Sequence, residues 1–338
     1  MNDEYSGKNV LITGGTGSIG LEITKQILGF DINKAIVFSR DEIKHFLIKK
    51  NMPDNRLEMV VGDVRNYQSL ERVFEQFDID FVFHAAAMKH VVVCDNFPME
   101  CAKTNIIGTQ NVVDLALKHN VPRMITISTD KSAYPVNVMG ATKFIAEKIT
   151  LNANYSCVRF GNVANSRGSV VPVFIDSLLN GMPITITNPN ATRFIIQVKD
   201  AVHLVMDASK YAQGGDIFIL KMKAFKLGDL MEVILDRIAP ELGLNSGNIT
   251  VKEIGLLQGE KLHEQLINDS ESRYLFESGQ LYVILSDPSK QRNYKYIKKS
   301  NKSNYSSNDV ELLSKYGLEQ IIMEYIKKNH LSVSSYKF

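Results

Sequence analysis

Six short apolar runs, at residues 9–13, 35–38, 57–61, 81–84, 124–128 and 156–160, punctuate the first half of the chain. Each is strand-length and nearly continuous in apolar side chains, the pattern of a strand buried on both faces. Between them, residues 19–28, 42–50, 69–77, 105–119 and 138–151 space their apolar positions three and four apart, which predicts amphipathic helices. Asn66 stands where an N-cap for the third helix belongs. Strand and helix alternating this often predict an α/β fold built on a doubly wound parallel sheet.

After Phe160 the alternation stops. Residues 162–172 and 181–193 collect Gly, Pro, Asn and Ser at turn-forming density. Helical spacing returns over 198–208, 228–238 and 310–327, with a strand expected at 216–220 and an extended segment at 249–254. The stretch 287–308 is rich in Lys, Ser and Asn and reads as a mobile surface loop. The expected organisation is a sheet domain over 1–165, rejoined by 194–222, and a smaller lobe from 166–193 and 223–286. The loop 287–308 and a terminal helix and tail over 309–338 complete it.

Composition narrows the function classes. Of 338 residues 44% are hydrophobic, enough to build a core and exclude general disorder. With 39 basic against 37 acidic residues the net charge is +2, which argues against a general nucleic-acid binder. Cys94, Cys101 and Cys157 are too few and too scattered for a disulfide framework or a zinc site, so no metal is expected and the compartment reads as reducing. The opening MNDEYSGKNVLITGG lacks a signal-peptide profile, and no apolar run reaches membrane-spanning length. The expectation is a soluble, cytoplasmic protein without a membrane segment.

Directly after the first strand stands Thr13-Gly14-Gly15-Thr16-Gly17-Ser18-Ile19-Gly20. The spacing of Gly14, Gly17 and Gly20 is a TGxxGxxG variant of the dinucleotide fingerprint: a tight turn, a close backbone approach to pyrophosphate, and close helix–sheet packing. Thr16, Ser18 and Ile19 lie at the helix N-terminus, whose free N–H groups suit phosphates. The second strand ends in Ser39-Arg40-Asp41. An arginine there suits the 2′-phosphate of NADP, an acid the ribose of NAD. Arg40 comes first and Asp41 can serve as a helix cap, which favours NADP. Asp63 and Val64, ending the third strand, are placed for the adenine ring, and Ala85 and Ala86 follow the fourth strand at the same sheet edge.

The fifth strand delivers Ser128-Thr129-Asp130-Lys131 to that edge, where open α/β sheets bind ligands. An acid beside an amine can serve as acid and base in one reaction. Lys143 on the next helix occupies the lysine position of the Tyr-x-x-x-Lys pair of short-chain dehydrogenases, but four residues earlier stands Met139, which cannot transfer a proton. Tyr134, nine residues before Lys143 and followed by Pro135, lacks the spacing to replace the tyrosine.

In order along the chain occur TGGTGSIG, FSRDE, GDVR, HAAAMKHV, KTNIIGTQNV, STDK, FGNVANSRGSVVP, ATRF and GEKLHE. Together they resemble the UDP-N-acetylglucosamine 4,6-dehydratases of the extended short-chain dehydrogenase/reductase superfamily, over roughly residues 9–267. That resemblance implies a bacterial polysaccharide or flagellin-glycan enzyme, a hydro-lyase that keeps its NADP tightly bound and recycles it. A hydride leaves C4 of the sugar for the cofactor, water is eliminated across C5 and C6, and the hydride returns to C6. By the same resemblance Lys131 is the base at C5, Asp130 the acid at the C6 hydroxyl, Thr129 a hydrogen-bond partner near O4, and Lys143 the holder of the nicotinamide ribose. Lys89 points to the sugar; Asn162, Arg167, Ser169, Val170 and Pro172 receive diphosphate and uracil; Arg193 and Glu260 lie near phosphate and uridine ribose. Methionine at position 139 is found in the larger membrane-anchored relatives and goes with retention at C5, whereas tyrosine goes with inversion. The family forms dimers through a four-helix bundle, here 105–119 and 138–151, and larger rings.

Three other readings stay open on the residues alone. One is a partial dehydratase working through or on a 5,6-ene, another a UDP-sugar 4-epimerase. The third is a dinucleotide-sensing regulatory protein in which Met139 marks lost catalysis.

Overall fold

The computed structural model describes residues 4–331 except 288, 290, 292, 293, 295 and 296. The chain divides into two compact units, the first comprising residues 1–160, 199–221 and 266–304, the second 161–198, 222–265 and 305–338.

The first unit is built on one ten-stranded sheet. Its parallel part uses β1 (Asn9–Thr13), β2 (Lys34–Ser39), β3 (Leu57–Val61), β4 (Phe81–His84), β5 (Arg123–Thr129) and β6 (Ser156–Phe160) in the order 6-5-4-1-2-3. The apolar runs fall in these strands because burial on both faces requires nearly every side chain to be apolar. Strand β1 pairs in parallel with β2 on one side and β4 on the other, so the strand order reverses there and a crevice opens at the strands' carboxyl ends. The helices are α1 (Ser18–Ile27), α2 (Glu42–Asn51), α3 (Tyr67–Gln76), α4 (Val91–Asn96), α5 (Pro98–Ala102), α6 (Gly108–Lys118) and α7 (Val138–Asn152). Asn66 caps α3 through Ser69 N–H, as expected. The helix expected from 105 instead begins as a π-helical turn, Lys103–Ile107, before α6.

The sheet continues past β6 through a parallel strand, Asp216–Leu220, and then antiparallel strands Leu281–Leu285, Leu275–Ser278 and Lys298–Lys299. This corrects two expectations. Residues 266–286 belong to the sheet unit rather than the lobe, because Leu281–Leu285 is fully buried beside Asp216–Leu220. Nor is 287–308 a loose loop where it is described: Tyr294 donates to Asp216, Lys298–Lys299 pairs with Phe276 and Glu277, and Ser300, Ser306 and Ser307 are buried. Hydroxyls that pair with backbone can be buried, so a polar composition does not guarantee exposure. Positions 288, 290, 292, 293, 295 and 296 of that stretch, and tail residues 332–338, lie outside the described residues.

The second unit has a three-stranded sheet of Lys223–Lys226, Thr192–Ile196 and Asn162–Val163, and a parallel pair of Val251–Glu253 with Ile184–Ile186. Helix Val170–Leu179 forms inside a region that the sequence presents as turns at its start. It packs Phe174 and Ile175 with Leu230 and Ile234, and with Leu318 and Ile322 of the terminal helix Lys315–Lys328.

Candidate active site

The turn after β1 is shaped by glycine. Gly14 has φ +68°, and a Cβ there would stand 2.6 Å from Ala86 N. At Gly20 it would stand 2.4 Å from Gly14 O, so helix α1 lies directly against the turn. Neither space admits a methyl group, and both belong to a cradle that brings backbone close to a ligand. Gly17 enters α1 with extended backbone; no side chain caps the first turn and no acid sits in it. The N–H groups around Ser18 and Ile19 thus keep their partial positive charge for an anion. The arrangement fits a dinucleotide pyrophosphate. Gly14→Ala is expected to cost more than about 1 kcal/mol of stability and to abolish dinucleotide binding, checked by thermal unfolding and calorimetric titration.

At the end of β2, Ser39 Oγ lies 2.9 Å from Thr16 Oγ1 and 2.7 Å from His45 Nε2. Asp41 accepts from Lys44 N–H at 3.0 Å and caps α2, so it is engaged as a cap. Arg40 is 59% exposed, with its guanidinium 3.8 Å from Asp63. Asp63 is gripped by Arg65 at 2.7 and 2.8 Å. Burial raises the Asp63 carboxyl, but the Arg65 hydrogen bonds outweigh it and hold the group below its ordinary range. Val64 is buried, its carbonyl accepting from Asn111 at 2.8 Å. Ala85, whose N–H donates to Thr13 O, and Ala86 line the opposite side of the turn.

β5 runs out at Thr129 into a single 3-10 turn, Asp130–Ser132. Thr129 Oγ1 donates to Asp130 Oδ1 at 2.7 Å, and Lys131 Nζ donates to the same oxygen at 3.1 Å. Asp130 is fully buried, whereas the Lys131 side chain keeps 20% exposure. A proton shared by this pair defines two states: an ion pair, or a neutral amine beside a carboxylic acid. The second state presents a base and an acid together without any net change in charge. From α7, Lys143 Nζ donates to Ile127 O at 2.5 Å. Burial lowers the pKa of this lysine, and Glu147, one turn along, opposes the shift. Met139 is buried with Cys94 and Cys101, and Tyr134 accepts from the Asp269 N–H.

In the second unit Arg193 and Glu260 form an ion pair, Nη2 to Oε1 at 2.5 Å. Arg193 also donates to the carbonyls of Thr192 and Leu262, and Glu260 accepts from Thr187 Oγ1 at 3.0 Å. Ser169 precedes helix Val170–Leu179, which carries Pro172 in its first turn, and its buried hydroxyl has no hydrogen-bond partner among the described residues. Asn162 pairs with Ile195, and Arg167 is exposed. In the first unit Lys89 is exposed beyond β4.

Residues 10–286 match the family model described as polysaccharide biosynthesis protein. The chain belongs to that family. Over 291 residues, 83% of each chain, it is 41% identical to a UDP-N-acetylglucosamine 4,6-dehydratase (inverting) of Campylobacter jejuni. It is 42% identical, over 96% of its own length and 98% of the relative's, to an uncharacterized membrane protein of Methanocaldococcus jannaschii. A UDP-glucose 4-epimerase of Rickettsia canadensis is 34% identical over 94% of this chain and 95% of that one. The solved structure of Pen from Bacillus thuringiensis superimposes with a TM-score of 0.88 at 37% identity, covering 95% of this chain and 99% of that one. Among the described residues no helix is long and apolar enough to cross a membrane.

This family member also holds the Asp130–Ser132 turn by residues that the motif reading missed. Glu147 accepts from Ser128 Oγ at 2.5 Å and Ser132 Oγ at 2.6 Å, gripping the turn from both ends. Arg159, itself buried, binds the buried Glu147 at 2.6 and 2.8 Å and the part-buried Glu271 at 2.7 and 2.8 Å. The available signal was Arg159 itself, a charge inside an otherwise apolar strand, which burial permits only with partners. Asn105, in the π-helical turn, clasps Met88 through N–H and carbonyl at 2.7 and 3.0 Å and reaches Thr142 Oγ1 at 3.0 Å. It thereby ties the segment after β4 to the residue before Lys143.

His84 locks β1 to α6. The Thr109 hydroxyl donates to Asn105 O, so it accepts from His84 Nε2–H at 2.9 Å, and Nδ1 accepts from Thr13 at 2.7 Å. This assigns a neutral tautomer from the hydrogen-bond network. Burial pushes the His84 pKa down to about 3. An unfolded chain protonates this histidine below about pH 6.5 while the folded chain does not. The stability contribution is therefore complete above that pH and falls as pH drops toward 3, by at most about 1.4 kcal/mol per unit. Denaturant midpoints at pH 7 and pH 5 should differ more in the wild type than in His84→Gln; equal differences would refute the assignment.

Proposed function

We propose that the protein is a nucleotide-sugar 4,6-dehydratase acting on UDP-N-acetylglucosamine. The observation that carries this reading is the pairing of buried Asp130 with part-exposed Lys131 at the carboxyl edge of β5. Removal of water across C5 and C6 needs a base for the C5 proton and an acid for the departing hydroxyl, and these two groups share one proton between them. Lys131, as the amine, withdraws the C5 proton of a 4-keto sugar; Asp130, as the acid, delivers its proton to the C6 oxygen as it leaves. Thr129 hydrogen-bonds near O4. Epimerisation at C4 requires neither a C5 base nor a leaving-group acid, so the pair favours the dehydratase over the epimerase reading.

The crevice at Gly14, Thr16, Gly17, Ser18, Ile19, Ser39, Arg40, Asp63, Val64, Ala85 and Ala86 would hold a nicotinamide dinucleotide, with Lys143 on its ribose. When bound, this cofactor supplies reversible hydride acceptance. Asp41 is taken up as a cap and Arg40 is exposed, which supports NADP over NAD. Arg40→Ala is expected to weaken NADP binding about tenfold or more and leave NAD binding unchanged, read by fluorescence titration; equal weakening would count against NADP. For UDP we propose Arg193 and Glu260, pre-oriented by their ion pair, with Asn162, Arg167, Ser169, Val170 and Pro172; Lys89 would take the sugar.

Incubation with UDP-N-acetylglucosamine in deuterated water is the test. A C6 methyl signal with deuterium at C5 is expected. A 4-epimer without the methyl would replace this reading by epimerase, a 5,6-ene by partial dehydratase, and unchanged substrate by a dinucleotide sensor. Met139 supports retention at C5, while the Campylobacter relative is named for inversion; the C5 proton couplings of product formed in ordinary water distinguish them. Exposed Ile107 and Ile145, in the segments expected to build a bundle, support a homo-oligomer, which light scattering on the eluting protein would measure.

A further inference from the structure

A second chemistry lies beneath α7. Residues 91–102 are not one helix: α4 stops at Asn96, Phe97 leaves helical geometry, and Pro98 starts α5. In a continuous helix, positions seven apart would be separated by about 10 Å along the axis. The break folds Cys94 and Cys101 onto each other instead, with their sulfurs 2.6 Å apart, well inside the spacing of unbonded sulfurs. Both thiols are fully buried and pack with Met139. Cys101 Sγ also lies 3.3 Å from Asn105 Nδ2 and 3.4 Å from Thr142 Oγ1.

We propose that Cys94 and Cys101 form a reversible dithiol–disulfide pair, a modification site independent of the dehydratase reading. The oxidant is a small disulfide of the glutathione class. One cysteine thiolate attacks an oxidant sulfur and expels one small thiol; the second cysteine attacks the resulting mixed disulfide and expels the other. Two S–H bonds are lost and one S–S bond forms, the two electrons and two protons leaving with the two small thiols. Burial raises the Cys94 pKa and so keeps its thiolate scarce, which makes the reaction slow until the short α4–α5 segment opens. Cys157, buried in β6, serves as the internal reference. Closure of the bond would act on Asn105 and Thr142, both of which contact Cys101.

The experiment uses the full, folded chain. It is incubated with oxidised glutathione, and in parallel with the smaller oxidant diamide, then denatured, alkylated with a maleimide and weighed intact. The expected product carries one maleimide, at Cys157, has lost two hydrogens, and yields a cross-linked peptide containing Cys94 and Cys101. Dithiothreitol restores three alkylatable thiols. Cys94→Ser removes the cross-link and leaves Cys101 alkylatable or as a lasting glutathione adduct. Three maleimides on wild type after both oxidants, or adducts that never resolve into the cross-link, would overturn the proposal. Neither result depends on UDP-sugar turnover.

Discussion

Replacing Arg159 with methionine is expected to lower the unfolding free energy by about 3–5 kcal/mol. The guanidinium is only 1% exposed and lies between two carboxylates, with a further hydrogen bond to Leu266 O at 3.0 Å. Methionine fills part of the volume but leaves Glu147, itself 1% exposed, as a buried charge without its cation. The pH dependence follows from the same pair. Burial pushes the Glu147 carboxyl up, but Arg159 and the two serine hydroxyls outweigh it and hold its pKa below the usual value. In the wild type its stabilisation is present above the unfolded pKa of about 4.3 and is lost as pH falls through the lower folded value. Without Arg159 the folded pKa rises, so the deficit against wild type should shrink as pH falls from 7 toward 4.5. Glu147→Gln added to Arg159→Met should recover much of the loss. Urea unfolding of wild type, the single variant and the double variant measures this, and a loss below about 1 kcal/mol for the single variant would show that the network contributes little.

Asp130→Asn and Lys131→Met should each lower dehydration by about 10²–10⁴-fold while leaving dinucleotide affinity unchanged. Asparagine keeps the shape of Asp130 but cannot release a proton to the C6 oxygen. Methionine keeps the stem of Lys131 without its amine. Under the proposed roles, Lys131→Met still oxidises C4, so dinucleotide absorbance at 340 nm rises with substrate although no C6 methyl forms. With Asp130→Asn and C4-deuterated substrate, full reduction would show that the O4 proton leaves without Asp130, consistent with a water held by Thr129. The double variant should be little worse than either single one, because acid and base act as a unit. More than about a tenth of wild-type turnover in either single variant would remove that residue from the chemistry.

Much of the first unit was legible in the chain. Strand-length apolar runs located β1 to β6, and Gly14, Gly17 and Gly20 located the turn that the backbone of Ala85 and Ala86 closes upon. Asp130 and Lys131 were recognised as a pair because adjacency in sequence guaranteed adjacency in space. Arg193 and Glu260 were singled out separately, while their ion pair became visible only in the fold. The strands at Leu275–Ser278 and Leu281–Leu285 were missed because nothing local says which sheet edge a short apolar run will join. Polar composition between 287 and 308 misled for a related reason: Ser307 is buried because its hydroxyl donates to Thr192 O, a partner 115 residues away.

The sequence by itself determined the alternation of strand and helix, the glycine turn and the acid–amine pair. All of these depend on spacing over a few residues, which the backbone's own periodicity converts directly into geometry. Only the tertiary structure decided that Asp130 is sealed from solvent while Lys131 is not, and that Glu147, itself held by Arg159, grips the turn that carries them. It alone set Cys94 against Cys101 under Met139. A charge or thiol takes its chemistry from what surrounds it, and here those surroundings are brought together by folds and breaks in the chain that local patterning does not encode.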